Sequence, residues 1–338
     1  MTTPPTLCNL PDVVALSIFN EVGFKSIINL RKVCRDLRIR IDYFKPEAHL
    51  LSVSIRVEDC KISFEYHWEI NGEKLGRTYK DYVEYEKDVE SGWSIVRCYC
   101  SKKKIANDDF MELALRDFLL ILKFQKKGIC TIDFINATEN SNNFIQFFEI
   151  LKSFLATENQ LLKVGDFCIF SKDQKSVMPA LSLTDSQSIH SISIIAWTDE
   201  PMEFTEIMEM EHWKTATSFR SDYSFTDVSV QNFRHFSQIK VKIESISVEK
   251  LLELKKIFQN STKAHWFKIW YGDTFEDRKQ FLEKMGPAFM FVGDFQWFFR
   301  MSTTDDDVLL IQLYHPSHLI DFRRRAVADV PKRAVIQN

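Results

Sequence analysis

Cysteine and histidine are the first side chains to consider, because their spacing could build a metal site. Cys98 and Cys100 are separated by one residue, and His315 and His318 form a second pair far downstream. A structural zinc ion takes four ligands, usually in two pairs at set spacings. In an alternating strand, two residues at i and i+2 simply share a face. We therefore expect no metal site and no cofactor.

Motifs for nucleophilic or hydrolytic catalysis are missing from the sequence. No Gly-x-Ser-x-Gly, His-Glu-x-x-His or Walker sequence occurs, and only nine glycines are present. His190, His212, His235 and His265 have no partner motif nearby. A triad assembled from distant residues stays open as an alternative. We expect a protein that is not an enzyme and has no catalytic residues.

Length and composition are typical of a folded protein. The chain has 338 residues, of which 45% are hydrophobic and 27% are charged. Its net charge of −3 and lack of a long basic block argue against a nucleic-acid partner. No apolar run reaches about 18 residues, so we expect no membrane partner. Seven scattered cysteines favour a reducing, cytoplasmic location, and short basic runs at 102–104 and 323–325 leave a nuclear location open.

The stretch from Leu10 to Arg40 has the pattern of a helical binding module. Leu10 and Pro11 open a first helix, Gly23 ends it, and Ser26 is a good cap for a second helix. The apolar face of the second helix comprises Ile27, Leu30, Cys34, Leu37 and Ile41. About 30 residues cannot bury enough apolar surface to be stable alone, so we expect this unit to lean on a neighbour. Apolar residues off the main faces indicate a second side for a partner protein. These are Val13, Phe19, Ile28, Val33 and Ile39.

This stretch resembles an F-box. The resemblance rests on Leu10-Pro11, Ile18-Phe19, Val33-Cys34-Arg35 and Leu37-Arg38, with Leu37 standing where many F-boxes have tryptophan. It implies docking on the Skp adaptor of a cullin–RING ubiquitin ligase. The docking residues that it implies are Leu10, Pro11, Val14, Ile18, Phe19, Leu30, Val33, Cys34 and Leu37.

The rest of the chain changes period several times. Alternating residues between His49 and Cys100, with the turn signal Asn71-Gly72, predict a small antiparallel β-meander. Asn107 to Gly128 predicts a helix that is buried on both flanks, with Asn107 as its cap. From Ile129 to about residue 284, short strands and helices alternate at a spacing typical of strand–helix solenoids. We expect an α+β fold whose array is leucine-rich-repeat-like.

Aromatic residues near the C-terminus are candidates for a second interaction surface. Trp266 and Trp270 lie in one predicted strand with Phe267 and Tyr271, so the four side chains cannot all point inward. Trp297 follows in a further aromatic cluster. Exposed aromatic residues are typical interface anchors. Trp266, Trp270 and Trp297 are therefore the predicted partner-binding residues.

The order of segments also resembles nematode F-box proteins with a C-terminal FTH domain. The resemblance rests on the F-box stretch and on the helix core Asp117–Lys123. It divides the chain into an F-box (1–46), a β-meander (47–106), an FTH-like strand–helix array (107–290) and a C-terminal β cap and tail (291–338). It implies a non-catalytic adaptor that recruits a protein substrate, whose identity the sequence does not give. The alternative is a solenoid interaction protein without ligase coupling. Its only support is that Leu37 stands where many F-boxes have tryptophan.

Overall fold

The structure is a computed structural model of the chain. It describes residues 6–69, 78–98, 101–106, 108–139, 142–171, 174–196, 202–226, 229–272, 278–314 and 317–338. The chain divides into two compact units, Met1–Gly165 and Asp166–Asn338.

The first unit begins with three short helices, where the sequence predicted two. They are α1 (Asp12–Glu21), α2 (Phe24–Val33) and α3 (Arg35–Phe44). Gly23, and not Ser26, is the N-cap of α2. Cys34 has an extended backbone with φ −155° and ψ 167°, and it ends α2 and caps α3. The predicted second helix is therefore broken at Cys34. Of its predicted apolar face, Ile27, Leu37 and Ile41 are buried, whereas Cys34 is exposed.

Aromatic contacts join these helices to the rest of the first unit. Phe24 stacks on Trp68 at 5.4 Å between ring centroids and lies 5.5 Å from Phe124. Phe24, Ile27 and Ile41 are buried. The helical pair predicted to be too small to stand alone thus packs on its own C-terminal neighbour, as expected from its limited apolar area.

The next part of the first unit is an antiparallel meander. Its strands pair in chain order. They are β1 (Leu50–Val57), β2 (Lys61–Glu69), β3 (Thr78–Lys87), β4 (Ser94–Cys98) and β5 (Ser101–Ile105). The turn predicted at Asn71-Gly72 lies outside the described residues. β5 was not predicted, because its lysine-rich sequence lacks an alternating apolar pattern.

One long helix covers the meander, as its apolar sequence predicted. This is α4 (Phe110–Phe124), and β6 (Ile129–Asn136) and α5 (Asn142–Thr157) follow it. Asp109 caps α4 by accepting hydrogen bonds from the amides of Met111 and Glu112, whereas Asn107 lies outside the described residues. α4 ends at Phe124, four residues before the predicted stop at Gly128. β6 adds to β1 as a parallel neighbour.

The second unit contains the strand–helix array and the C-terminal strands. The array comprises β7 (Val164–Ser171, within this unit from Asp166 onward), α6 (Gln174–Ser182), β8 (Ser191–Ala196), α7 (Thr205–Glu209), α8 (Glu211–Thr215), β9 (Ser218–Phe225), β10 (Gln238–Ile243), α9 (Val248–Gln259), β11 (Trp266–Tyr271) and α10 (Arg278–Met285). The C-terminal strands are β12 (Phe289–Phe291), β13 (Asp294–Arg300), β14 (Asp307–Tyr314), β15 (Leu319–Ala326) and β16 (Ile336–Gln337). Strands β7 to β11 are parallel and neighbour one another in chain order. β15 then pairs antiparallel with β11 and continues to β14, β13 and β12.

The mixed α and β content agrees with the predicted fold class, but the leucine-rich-repeat-like description is not confirmed. The connections between the parallel strands differ from one unit of the array to the next. One short helix follows β7, two follow β8, a single turn of 3₁₀-helix follows β9, and a helix of 12 residues follows β10. A leucine-rich repeat would instead repeat one connection at a fixed period.

The parallel sheet of the second unit buries one face and leaves the other partly open. Phe267, Ile269 and Tyr271 alternate with the half-buried Trp266, Lys268 and Trp270 along β11. Helices cover the buried face. Phe258 of α9 packs edge-on against Phe267 at 5.1 Å, and Trp213 of α8 lies 4.5 Å from Phe219 of β9.

Candidate protein-interaction surfaces

The F-box stretch exposes part of the predicted docking set and buries the rest. Pro11, Val14, Val33 and Cys34 are exposed, and Leu10, Ile18 and Leu30 are half-buried. Phe19 and Leu37 are only 1% and 5% exposed. Phe19 and Leu37 were predicted to contact the adaptor directly, and this assignment is corrected. Both side chains lie in the core, where they pack the helices together.

Apolar residues that the resemblance did not supply are among the most exposed of the first unit. Val13 is 82% exposed and Tyr43 is 76% exposed, and Ile39 is also exposed. Val13 and Ile39 lay off the predicted helix faces, so the sequence carried a signal for them. Tyr43 was missed because α3 extends beyond the stretch that was singled out.

One arginine, Arg40 of α3, holds the N-terminal end of α1 and the residues before it against α3. The Arg40 guanidinium donates to the backbone oxygens of Cys8 at 2.6 Å and Leu10 at 2.7 Å, and to Oδ1 of Asp12 at 2.9 Å. It also lies 5.7 Å from the ring centroid of Phe44. Leu10 and Pro11 are thereby fixed relative to α3, a role that sequence reasoning did not assign to Arg40.

Two thiols meet where α1 begins and α2 ends. The Sγ atoms of Cys8 and Cys34 are 3.9 Å apart, and the Leu37 amide donates to Cys34 Sγ at 3.5 Å. Desolvation, followed by the interaction with Cys34, raises the pKa of the Cys8 thiol. The contact brings the residues after Cys8 beside the junction of α2 and α3. We call the exposed or half-exposed apolar residues on this side the docking patch. It comprises Leu10, Pro11, Val13, Val14, Val33 and Cys34.

The three predicted partner-binding tryptophans are not equivalent. Trp266 and Trp270 lie on the partly open face of the second unit's sheet. Trp297 is only 1% exposed, its Nε1 donates to the Gly286 carbonyl at 3.1 Å, and it packs on Phe281 at 5.6 Å. Trp297 is therefore a core residue, which corrects its assignment to a surface.

Lysine side chains surround the two outward-facing tryptophans. The Lys240 ammonium lies 5.2 Å from the Trp270 ring centroid, and the Lys268 ammonium lies 5.6 Å from that of Trp266. Both distances are within the usual range of cation–π contacts. We call the outward-facing residues of β8 to β11 the open sheet face. It comprises Ser193, Arg220, Gln238, Lys240, Lys242, Trp266, Lys268 and Trp270.

A polar depression extends this face towards β7. It has a volume of about 320 Å³, and its lining includes Asp166, Ser191, Ser218 and Gln238, one from each of four neighbouring strands. Solvent therefore reaches the outward side of the sheet at the start of these strands.

Tyr99, Cys100, His315 and Pro316 lie outside the described residues, so the predicted cysteine and histidine pairs are not fully placed. Among the residues that the structure does describe, no group of three His, Cys, Asp or Glu side chains is arranged to hold a metal ion. No helix in this part of the chain is long and apolar enough to cross a membrane.

Two protein families match parts of this chain, one over its N-terminal helices and one over the strand–helix array. The F-box domain family matches residues 7–48, which contain α1 to α3, and the FTH domain family matches residues 145–285, which contain the open sheet face. The chain is also similar to F-box A protein 224 of Caenorhabditis elegans. The two are 23% identical over 273 residues, an alignment covering 79% of this chain and 67% of the relative. The chain carries an F-box domain followed by an FTH domain, and the resemblance to nematode F-box proteins of this kind is confirmed.

Proposed function

We propose that this chain is a non-catalytic, substrate-recruiting adaptor of a cullin–RING ubiquitin ligase of the SCF type. Its F-box domain docks on the Skp adaptor, and its FTH domain holds the protein to be modified. The observation that carries the proposal is the docking patch, an apolar surface on the helices that match the F-box family. Exposed apolar surface of this kind is typical of protein-interaction sites.

Tethering explains how such a protein assists a reaction without catalytic residues. Holding a substrate and a ubiquitin carrier in one assembly raises their effective concentration to the millimolar range for short linkers. The bond-forming chemistry then belongs to other subunits. In this scheme the docking patch and the open sheet face bind different partners at the same time.

The buried position of Leu37 bears on the alternative of an interaction protein without ligase coupling. That alternative depended on a lost contact with the Skp adaptor at Leu37. Because the Leu37 side chain is in the core, its identity affects the packing of α3 more directly than the docking patch.

The test is a binding titration of the full chain with the purified Skp adaptor. Val13→Glu combined with Val33→Glu puts two charges into the docking patch, so the affinity should fall by at least about tenfold. Val89→Glu is the matched control, because Val89 is 83% exposed and lies in the turn between β3 and β4. It should bind like the unaltered chain.

A second variant, Leu10→Ala combined with Pro11→Ala, removes apolar contacts without adding charge. The proposal fails if the unaltered chain does not bind the Skp adaptor. It also fails if the docking-patch variants and Val89→Glu bind equally well.

A further inference from the structure

The open sheet face concentrates positive charge at adjacent positions. Arg220, Lys240 and Lys268 are in register on β9, β10 and β11. Neighbouring strands are only about 4.8 Å apart, so like charges directly opposite each other destabilise a sheet. Such a row is more easily explained by a ligand than by stability.

The charges in this row are unequally compensated. Arg220 has an ion pair with Asp222 at 3.3 Å. Lys240 and Lys268 have no carboxylate within ion-pair distance in the described part of the chain, and their ammonium groups lie over tryptophan rings instead. At the edge of the row, the buried Asp321 is paired with Arg323. Lys240 and Lys268 are thus the two cations left to meet a negative ligand.

We propose that the open sheet face binds an acidic, extended segment of the recruited protein. This inference rests on the proposed function for its biological role. Carboxylates of the segment would pair with Lys240 and Lys268, and apolar side chains on the same face of the extended segment would contact Trp266 and Trp270. Three strands span about 10 Å, which corresponds to three or four residues of an extended peptide. Acidic side chains at alternate positions fit the strand spacing best.

The charge distribution favours a peptide over a nucleic acid. Strong nucleic-acid binding neutralises many phosphates, and proteins with about 6–10 such contacts show it as a steep salt dependence. The open sheet face has only four cationic side chains, and Asp166 and Asp222 lie beside them. A short acidic peptide needs only two or three cations.

The experiment measures fluorescence anisotropy of a labelled octapeptide, Glu-Ser-Glu-Ser-Leu-Ser-Leu-Ser, during titration with the full chain. Its glutamate and leucine side chains lie on one face of the extended peptide. The same peptide with glutamine in place of glutamate and an oligothymidylate of equal length are the comparison probes. We expect micromolar binding of the acidic peptide that weakens as sodium chloride is raised, because surface charges are screened.

Charge reversal supplies the decisive comparison. Lys240→Glu combined with Lys268→Glu should weaken peptide binding at least about tenfold. The milder pair, Lys240→Gln with Lys268→Gln, should have an affinity between that of the unaltered chain and that of the charge-reversed variant. Lys256→Glu with Lys279→Glu is the matched control, because both lysines are exposed on α9 and α10, which cover the opposite side of the sheet. It should change affinity less than about twofold.

Three outcomes would overturn this inference: no binding by the unaltered chain, equal weakening by the control pair, or tighter binding of the oligothymidylate. No adaptor is present in the assay. A chain that fails to bind the Skp adaptor can therefore still bind the peptide, and the two proposals fail separately.

A different observation carries a second inference, that Cys8 and the docking-patch residue Cys34 form an oxidation site. Cys34 caps α3, and its sulfur accepts a hydrogen bond from the Leu37 amide at 3.5 Å. Cys8, with its sulfur 3.9 Å away, is placed as a resolving thiol. We infer that a peroxide converts the pair to a disulfide and weakens adaptor docking.

The peroxide oxidises the two thiols to a disulfide in two steps. The Cys34 thiolate attacks one peroxide oxygen, so that an S–O bond forms, the O–O bond breaks and, with proton transfer, water leaves. The Cys8 thiol then attacks the Cys34 sulfur, so that the S–S bond forms and the S–O bond breaks, releasing a second water. The sulfurs must approach from 3.9 Å to about 2.05 Å. This movement shifts the segment that Arg40 holds, and Leu10 and Pro11 move with it.

The test treats the full chain with hydrogen peroxide and maps disulfide-linked peptides by mass spectrometry. We expect a Cys8–Cys34 link that is absent from Cys8→Ser and Cys34→Ser and present in Cys60→Ser, a control at another exposed cysteine. Affinity for the Skp adaptor should fall several-fold on oxidation and recover with dithiothreitol. A missing link would contradict the assignment. A link with unchanged affinity would contradict its effect on docking.

Discussion

Replacing Arg40 by alanine is the sharpest test of how the docking patch is held together. The guanidinium makes two short hydrogen bonds to the backbone oxygens of Cys8 and Leu10. A hydrogen bond from a charged donor contributes about 1.5–3 kcal/mol. Two such bonds sum to about 3–6 kcal/mol, but Cys8 and Leu10 are only half-buried, so their freed carbonyls regain bonds to water and we take about 2 kcal/mol as the net loss.

This energy stabilises the position of Leu10 and Pro11 rather than the whole unit. If the Skp adaptor binds only the ordered segment, the apparent Kd rises as that conformation becomes less populated. A loss of about 2 kcal/mol corresponds to at most a factor of about 30 in affinity. The ion pair with Asp12 adds little, because Asp12 is 71% exposed. Asp12→Asn should therefore weaken binding by less than about fivefold.

The assay is isothermal titration calorimetry of the full chain with the Skp adaptor, accompanied by urea unfolding of each variant. Arg38→Ala is the matched control, since it removes the same charge from the same helix. Among the described residues, the hydrogen bond of the Arg38 side chain goes to the Arg31 carbonyl, at 3.3 Å. Arg40→Lys keeps the charge and loses the fork geometry, so its affinity should be intermediate. Equal affinities for Arg40→Ala and Arg38→Ala would refute the reasoning.

Three further predictions concern residues whose position the structure decides. Leu37→Trp should lower the free energy of unfolding by about 1–3 kcal/mol in urea unfolding, because a larger ring must enter a filled core. A stability equal to that of the unaltered chain would place residue 37 at the surface. Trp297→Phe should cost about 1–3 kcal/mol, since it leaves the Gly286 carbonyl without its indole donor. An unchanged urea midpoint would argue against that bond. Burial lowers the pKa of His235, whose ring bonds the Trp213 carbonyl. The unfolded chain then binds the proton more tightly, so stability should fall as the pH drops through about 6.5, the unfolded value. His235→Gln should flatten this part of the pH–stability profile, and a profile of the same slope would contradict it.

Local patterns were enough to predict much of the fold. The strand predicted around Trp266 implied that its four aromatic side chains cannot all point inward, because successive side chains of a strand point to opposite sides. The structure agrees: Phe267 and Tyr271 are buried, and Trp266 and Trp270 lie on the other face. The apolar length of α4 likewise indicated burial on both flanks. Both predictions use only residues within one element.

Features that depend on distant residues were not predictable in this way. The break at Cys34 was hidden, because the spacing of Ile27, Leu37 and Ile41 continues across it without glycine or proline. The sequence around Trp297 is aromatic at several positions, and only the packing of Phe281 and the carbonyl of Gly286 selects that ring for the core. The Arg40 contacts also join positions about 30 residues apart, which no local pattern contains.

The lysines of β5 have a consequence for solubility. β5 is the last strand on its side of the first unit's sheet among the described strands, so its outer backbone groups have no neighbouring strand. An unpaired strand edge can add a strand from another molecule and start aggregation. Lys102, Lys103 and Lys104 occupy three of the five positions of β5, and Lys104 pairs with Asp88 at 2.9 Å. The charged run therefore disfavours edge-to-edge pairing, since the lysines of a second copy would be placed next to these lysines and repel them.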